Sequence, residues 1–238
     1  MELEDFKKVI IEKGKEINVE LDDNKSEMFY EYMNMLVEWN KNINLTSITE
    51  PNDVILKHFI DSLTAYKYMK NASVIDVGTG AGFPGLPLKI LDKDINITLL
   101  DSLNKRINFL NEVIETLGLE KIKTIHGRVE EVARNKEYRE CFDVAVSRAV
   151  APLNVLLEYM IPLLKVGGKC ICMKGSNAEE EIEISKNSLK RLNAEVEIVE
   201  SFNLPWTDMK RNIVVVKKLA KTDNVFPRKA GTPSKKPL

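Results

Sequence analysis

Histidine and cysteine are scarce in this chain: His58 and His126 are the only histidines among 238 residues, and Cys141, Cys170 and Cys172 the only cysteines. No zinc-ligand spacing can be assembled from them, so no metal site is expected. Three clustered thiols make no disulfide framework, and a reducing compartment keeps them free. Cys170 and Cys172 alternate within KCICMK, which puts both on one face of a strand and reads as packing. Long apolar runs are missing too. The longest, VLLEYMIPLL (155–164), is interrupted by Glu158 and Pro162 and falls far short of the roughly 20 residues of a membrane span. MELEDFKKVI lacks the basic-then-apolar layout of a signal peptide, so the expected location is the cytosol, with no membrane partner. The sequon Asn44-Leu45-Thr46 is therefore read structurally. Net charge is close to zero, with 35 Lys and Arg against 36 Asp and Glu. That excludes a protein that binds polyanions over its whole surface.

The charge is unevenly spread. From Lys217 to Leu238 seven basic residues (Lys217, Lys218, Lys221, Arg228, Lys229, Lys235, Lys236) face Asp223 alone, whereas residues 1–25 carry eight acids and five lysines. A basic end on a near-neutral body points to a localised anionic partner. Residues 1–70 show helical spacing (Phe6, Val9, Ile10; Met28, Tyr32, Met35, Leu36, Trp39), with a third helix expected near 52–69 behind Pro51. They are read as an N-terminal helical cap. From 73 onward, short β-branched runs alternate with amphipathic segments: SVIDV (73–77), INITLLD (95–101), IKTIHG (122–127), FDVAVSR (142–148) and GKCICMKG (168–175), with helices near 85–92, 104–119, 152–165 and 178–193. Such β-α repetition predicts a Rossmann-like, doubly wound α/β sheet over 71–220, mostly parallel. EVEIVESF (195–202) and NIVVVKKL (212–219), separated by a short polar link, predict an antiparallel pair at the sheet edge. Residues 221–238 are read as a basic carboxyl-terminal tail, of which FPRKAGTPSKKPL (226–238) is expected to be extended or disordered unless bound.

The stretch VIDVGTGAGFPG (74–85) admits two cofactors. A literal G-x-G-x-x-G runs from Gly80 to Gly85, the dinucleotide fingerprint; read from Asp76, the pattern is D-x-G-x-G-x-G. Ligands of open α/β sheets sit at the carboxyl ends of the strands, so the exit loop of the first strand is the expected site. Because SVIDV ends at Val77, the first functional glycine is Gly78, and Phe83 falls where the third glycine of the dinucleotide pattern belongs. Pro84 and Pro87 also remove backbone donors that a pyrophosphate needs. Asp76 adds negative charge suited to an amine and a sulfonium cation, which favours S-adenosyl-L-methionine, with Gly78 and Gly80 letting the backbone approach it.

Asp101, at the end of the second strand, could accept from ribose hydroxyls, although NAD sites also place an acid there. Val129 and Glu130, in HGRVEE, could meet an adenine, or lie in a solvated loop. Arg148, ending the fourth strand, is the residue expected to orient a substrate; the alternative is an arginine paired with a local acid such as Asp76. Lys174 is a weaker candidate, and Arg106 could contact the anionic partner, cap its helix or pair locally. No cysteine is placed for the covalent attack that cytosine-C5 methylation needs. SRAVAPL stands where exocyclic-amine methyltransferases carry an Asn/Asp-Pro-Pro-aromatic loop, which disfavours amine methylation.

WNKNINLTSI (39–48), KHFIDSL (57–63), DVGTGAGFPGLPLKI (76–90), DSLNKRINFL (101–110), SRAVAPL (147–153) and FPRKAGTPSKKPL (226–238) together resemble the bacterial small-subunit ribosomal RNA methyltransferase G family, also called glucose-inhibited division protein B. The resemblance covers most of the chain. It implies a class I S-adenosyl-L-methionine-dependent methyltransferase acting on N7 of one guanine of 16S ribosomal RNA, near the decoding site, with the RNA or the small subunit as partner and the enzyme a monomer. It places Gly78 and Phe83 at the cofactor, Val129 and Glu130 on its adenosine side, and Arg148 near the methyl-donor or substrate end. Arg228, Lys229, Lys235 and Lys236 then read as phosphate contacts. Guanine N7 carries a lone pair and no proton, so its methylation asks for in-line positioning more than for a base. A small-molecule methyltransferase, an NAD-dependent oxidoreductase and a noncatalytic RNA-binding module remain the alternatives.

Overall fold

A computed structural model describes residues 1–238 throughout. Two helices, Leu3–Glu16 and Asp23–Ile43, open the chain. The second is capped by Asp22, whose carboxylate accepts from the Lys25 N–H at 2.8 Å, and it stops where Asn44 turns left-handed (φ 44°). Caps of this kind stabilise a helix by about 1 kcal/mol. The third helical stretch is not continuous: Pro51–Val54 widens into a π-helix, Ile55–Ile60, and returns to α at Asp61–Leu63. Such a widened turn is frequent at functional sites, and this one carries Lys57, His58 and the entry to Asp61.

Seven strands follow: β1 (Ser73–Val77), β2 (Asn96–Asp101), β3 (Ile122–His126), β4 (Phe142–Arg148), β5 (Leu164–Lys174), β6 (Ala194–Asn203) and β7 (Lys210–Lys218). They form one sheet in the order β3-β2-β1-β4-β5-β7-β6, parallel from β3 to β5. The antiparallel strand is β7, inserted between β5 and β6 rather than at the rim. Its central run Asn212–Val216 is buried, as a strand covered on both faces must be, whereas β6 is largely exposed and irregular near Val196 and Ile198. A charged, bulged strand blunts an open sheet edge.

The N-terminal helices cover one face of this sheet and share its core: Phe6, Phe29, Leu36 and Phe59 belong to the same buried cluster as Ile97, Val146 and Ile213. Residues 1–70 are thus a layer of the sheet domain, continuous with it in packing. The opposite face is covered by the helix Leu153–Met160 and its neighbours. The carboxyl-terminal segment packs against that second layer. Phe226 is buried, and the Arg228 guanidinium grips the fully buried carboxylate of Glu158, with Nη2 to Oε2 at 2.6 Å and Nε to Oε1 at 2.8 Å. The tail is therefore docked, which corrects the expectation of an extended or disordered end. Lys218, counted above as part of the basic end, is fully buried; its ammonium donates to Glu140 and to the carbonyls of Ile161 and Leu164.

Candidate functional site

A cavity of about 750 Å³ opens at the carboxyl ends of β1, β2 and β4, where a doubly wound sheet binds ligands and within the usual size for small-molecule sites. Its floor is the loop between β1 and the helix Gly85–Leu91. Gly78 and Gly80 take φ of 70° and 62°, a conformation that L side chains disfavour. A Cβ on Gly78 would also stand 2.6 Å from Val150.

Hydrogen bonding inside this loop bears directly on the cofactor. Gly78 and Thr79 donate to the Leu100 carbonyl, Gly80 to Asp101 Oδ2, Gly82 and Phe83 to Thr79 O, Gly85 to Asp76 Oδ2 and Leu86 to Gly82 O. Pro84 and Pro87 have no N–H. Between Gly78 and Leu86 only the Ala81 N–H is left without a protein partner. A pyrophosphate at a helix N-terminus needs several convergent free donors, so this loop is unsuited to a dinucleotide. A close helix–strand approach occurs at Gly85, where a Cβ would fall 2.3 Å from Leu99 of β2.

Asp76 is placed otherwise than the sequence suggested. Its carboxylate is fully buried and does not line the cavity; Oδ2 ties Thr79 Oγ1 (2.7 Å) and the Gly85 N–H (2.8 Å) into one turn. Burial pushes its pKa up to about 7, against the opposing pull of those hydrogen bonds and of Arg148. Asp76 shapes the loop from behind. Asp101 does line the cavity, and it accepts from the N–H groups of Gly80 and Leu103 and from Arg106 at 3.3 Å. Three of its roughly four acceptor positions are thereby used, leaving room for a hydroxyl. Arg106 is paired locally with Asp101.

At the far wall, Val129 and Glu130 line the cavity at the start of a short helix, Val129–Val132. Glu130 Oε1 accepts the Gly231 N–H at 2.8 Å, and Tyr159 and Ser234 exchange a hydroxyl bond at 2.8 Å. Gly231 and Ser234 themselves line the cavity. The tail is thus part of this wall. Arg228, Lys229, Lys235 and Lys236 do not line it; the three lysines are exposed and form no ion pair, while Arg228 is spent on Glu158, which corrects its reading as a phosphate contact.

Opposite, Phe83 and Arg148 join a cluster with His58, Asp61 and Tyr32, three residues to which the sequence assigns no role. Phe83 stacks on His58 with ring centroids 4.4 Å apart and planes 17° from parallel, and Arg148 lies over the Phe83 ring at 5.0 Å. Arg148 donates through Nη1 to Lys57 O (2.8 Å) and Asp61 Oδ2 (3.1 Å), and through Nη2 to His58 Nδ1 (3.1 Å). Its partner acid is Asp61, not Asp76; Asp61 also receives Arg211 at 3.1 Å. Burial, then the Arg148 cation, lower the His58 pKa to about 3, so the ring is neutral. Tyr32 reaches from the helical layer to donate to Ala81 O, fixing the glycine loop to the helix Asp23–Ile43. Lys174 lines the cavity but is committed to Ala151 O and Glu181, each at 2.7 Å. Six Lys and Arg side chains line the cavity; Lys57, Arg106, Arg148, Lys174 and Arg211 are paired with Asp53, Asp101, Asp61, Glu181 and Asp61, which leaves the exposed Arg128 as the lining cation without an ion pair.

His58 and Asp61 sit in KHFIDSL; Thr46, which lines the cavity with its Oγ1 2.8 Å from His58 Nε2, sits in WNKNINLTSI, both motifs quoted above. Their roles were invisible because they depend on the helical layer folding over the strand ends. No group of His, Cys, Asp and Glu is arranged to hold a metal, and no helix is long and apolar enough to cross a membrane.

A family model described as rRNA small subunit methyltransferase G matches residues 3–214. A ribosomal RNA small subunit methyltransferase G of Acetivibrio thermocellus is 50% identical over 235 residues, covering 98% of this chain and 97% of that protein. Among solved structures, a SAM dependent methyltransferase from Aquifex aeolicus superposes with a TM-score of 0.54 at 17% identity, over 73% of this chain and 96% of that one. The cyclase SpnF superposes with a TM-score of 0.55 at 14% identity, over 83% and 97%. These two likenesses show the class I methyltransferase fold. Since a cyclase shares it, the fold alone does not fix the reaction.

Proposed function

The chain belongs to the rRNA small subunit methyltransferase G family, and from that premise we propose that it transfers a methyl group from S-adenosyl-L-methionine to N7 of one guanine in the decoding-region loop of 16S ribosomal RNA. The observation that carries the cofactor half is the glycine loop, whose N–H groups are spent internally. It fits a ligand held by backbone approach, a ribose acceptor at Asp101 and apolar contact at Val129, and it does not fit a pyrophosphate. In this reading Gly78, Gly80, Phe83, Asp101, Val129 and Glu130 hold the cofactor, and Asp76 positions the loop. When bound, the cofactor supplies an electrophilic methyl group on a sulfonium.

The chain's own task is then to bring N7 into line and keep water out. Arg148 is suited to the substrate end, because its Nε–H and one Nη2–H have no protein partner while three bonds hold its guanidinium still. No general base is required, which agrees with the neutral, fully engaged His58. Arg128 at the cavity wall and the exposed Lys229, Lys235 and Lys236 would meet RNA phosphates, which position without reading sequence. We place the enzyme in the cytosol as a monomer acting on the RNA or the small subunit. Incubating purified protein with labelled S-adenosyl-L-methionine and unmethylated small subunits tests this: one labelled guanine supports it, and absence of label from any RNA refutes it.

A further inference from the structure

The loop that follows the helix Asp23–Ile43 is held at two backbone positions by one side chain. Asn40 Oδ1 accepts the N–H groups of Leu45 (2.6 Å) and Thr46 (2.9 Å), so Thr46 is fixed at the cavity wall. Thr46 Oγ1 in turn meets His58 Nε2 at 2.8 Å and the Ile48 N–H at 3.0 Å. The direction of these bonds follows from Arg148. A guanidinium only donates, so His58 Nδ1, 3.1 Å from Arg148 Nη2, has to accept. A neutral imidazole that accepts at Nδ1 carries its hydrogen on Nε2. His58 Nε2–H therefore donates to Thr46 Oγ1. With the Ile48 N–H, both acceptor positions of the Thr46 hydroxyl are filled, and its own hydrogen has no acceptor in the protein.

The geometry points to Thr46 as a specificity-determining residue whose hydroxyl donates to O6 of the target guanine. Arg148, His58 and Thr46 form a chain in which each hydrogen is oriented by the one before, and it ends at the cavity as an obligate donor. Beside N7, guanine presents the acceptor O6, whereas adenine presents the N6 amine, a donor. A hydroxyl that can only donate accepts the first and repels the second. This selection rests on the guanine-methylation reading above and adds to it how guanine is distinguished.

The test is a substrate–enzyme cycle. Thr46→Val removes the hydroxyl at nearly constant shape, and Thr46→Ser keeps it. Each is assayed on small-subunit RNA carrying guanine or 2-aminopurine, which lacks O6, at the target position, with S-adenosyl-L-methionine binding measured by calorimetry. On guanine, Thr46→Val is expected to lose about tenfold in kcat/KM, the scale of one neutral hydrogen bond, with cofactor affinity unchanged and Thr46→Ser near the parent. On 2-aminopurine the parent should fall to the Thr46→Val level and the variant should fall no further. Equal activity of Thr46→Val and parent on guanine, an equal further loss by both on the analogue, or no activity of either on it would overturn the inference. A parent that methylates no RNA removes the function reading and this inference together; a parent active on guanine with any of those three results removes only the inference.

Discussion

Arg228 and Glu158 form a two-pronged ion pair, Nη2 to Oε2 at 2.6 Å and Nε to Oε1 at 2.8 Å, with the Arg228 backbone N–H adding a third bond at 2.8 Å to a carboxylate that solvent does not reach. The pair anchors the carboxyl-terminal segment beside the cavity. Removing the cation strands a buried charge, so Arg228→Ala should cost about 3–5 kcal/mol of stability. The urea midpoint reports it. An Arg228→Met/Glu158→Leu double variant should recover most of that loss. Because Gly231 and Ser234 line the cavity downstream of the anchor, Arg228→Ala should also weaken S-adenosyl-L-methionine binding, measured by calorimetry.

The three exposed lysines of the same segment should behave oppositely. Replacing Lys229, Lys235 and Lys236 by Ala is expected to leave the urea midpoint within about 0.5 kcal/mol and cofactor affinity unchanged. RNA affinity should fall, and the slope of log K against log salt should flatten by roughly 0.7–0.9 for each phosphate no longer neutralised. Complete removal of the segment cannot separate these effects, since it would take away the cavity wall and the lysines at once. An unchanged salt slope would exclude the lysines from RNA binding.

Much of this was legible in the chain. SVIDV and FDVAVSR coincide with β1 and β4, because short β-branched runs bounded by turn residues have few other solutions. The glycine loop also announced its ligand class, since Pro84 and Pro87 remove donors wherever they stand. What could not be read were pairings across long sequence distances. Arg228 lies 70 positions from Glu158, and nothing in the local sequence distinguishes it from Lys229. The direction of the Asp76 carboxylate is hidden for a related reason. A strand-end acid faces a ligand or ties the following turn, and only the direction of its carboxylate separates the two. Thr46 and His58 belong to helices and loops whose place over the strand ends is set by the shared core, which periodicity does not encode.

Asp76 gives a pH signature. Its folded-state pKa, about 7, lies above the ordinary 3.8 because burial disfavours the ionised form. The folded protein therefore holds a proton that the unfolded chain has released. The associated stability is fully present below about pH 4 and is lost as pH rises through 7. Asp76→Asn keeps an acceptor for Thr79 and Gly85 but cannot ionise. Relative to that variant, the parent should lose up to about 1.4 kcal/mol per pH unit between pH 4 and 7, measured by urea unfolding across that range. Parallel stability profiles for the two proteins would contradict this.

Phe83 joins the aromatic cluster to the cavity, packing on His58 at 4.4 Å and near Tyr32 at 5.6 Å. Phe83→Ala should destabilise the fold by about 3–5 kcal/mol, by emptying the space between loop and helical layer. Affinity for S-adenosyl-L-methionine should drop with it, and Phe83→Leu should recover most of the stability. A Phe83→Ala protein that binds the cofactor as tightly as the parent would remove Phe83 from the cofactor site.

Methylation of guanine N7 in small-subunit ribosomal RNA leaves a chemical mark that no other methylated guanine position shares. The most direct measurement is strand scission at 7-methylguanine, by borohydride reduction and aniline, on RNA from unmethylated small subunits treated with the purified protein and S-adenosyl-L-methionine. One new scission is expected, at a guanine of the decoding-region loop, appearing only when enzyme and cofactor are both present. Methyl incorporation without scission, or scission spread over many guanines, would contradict it.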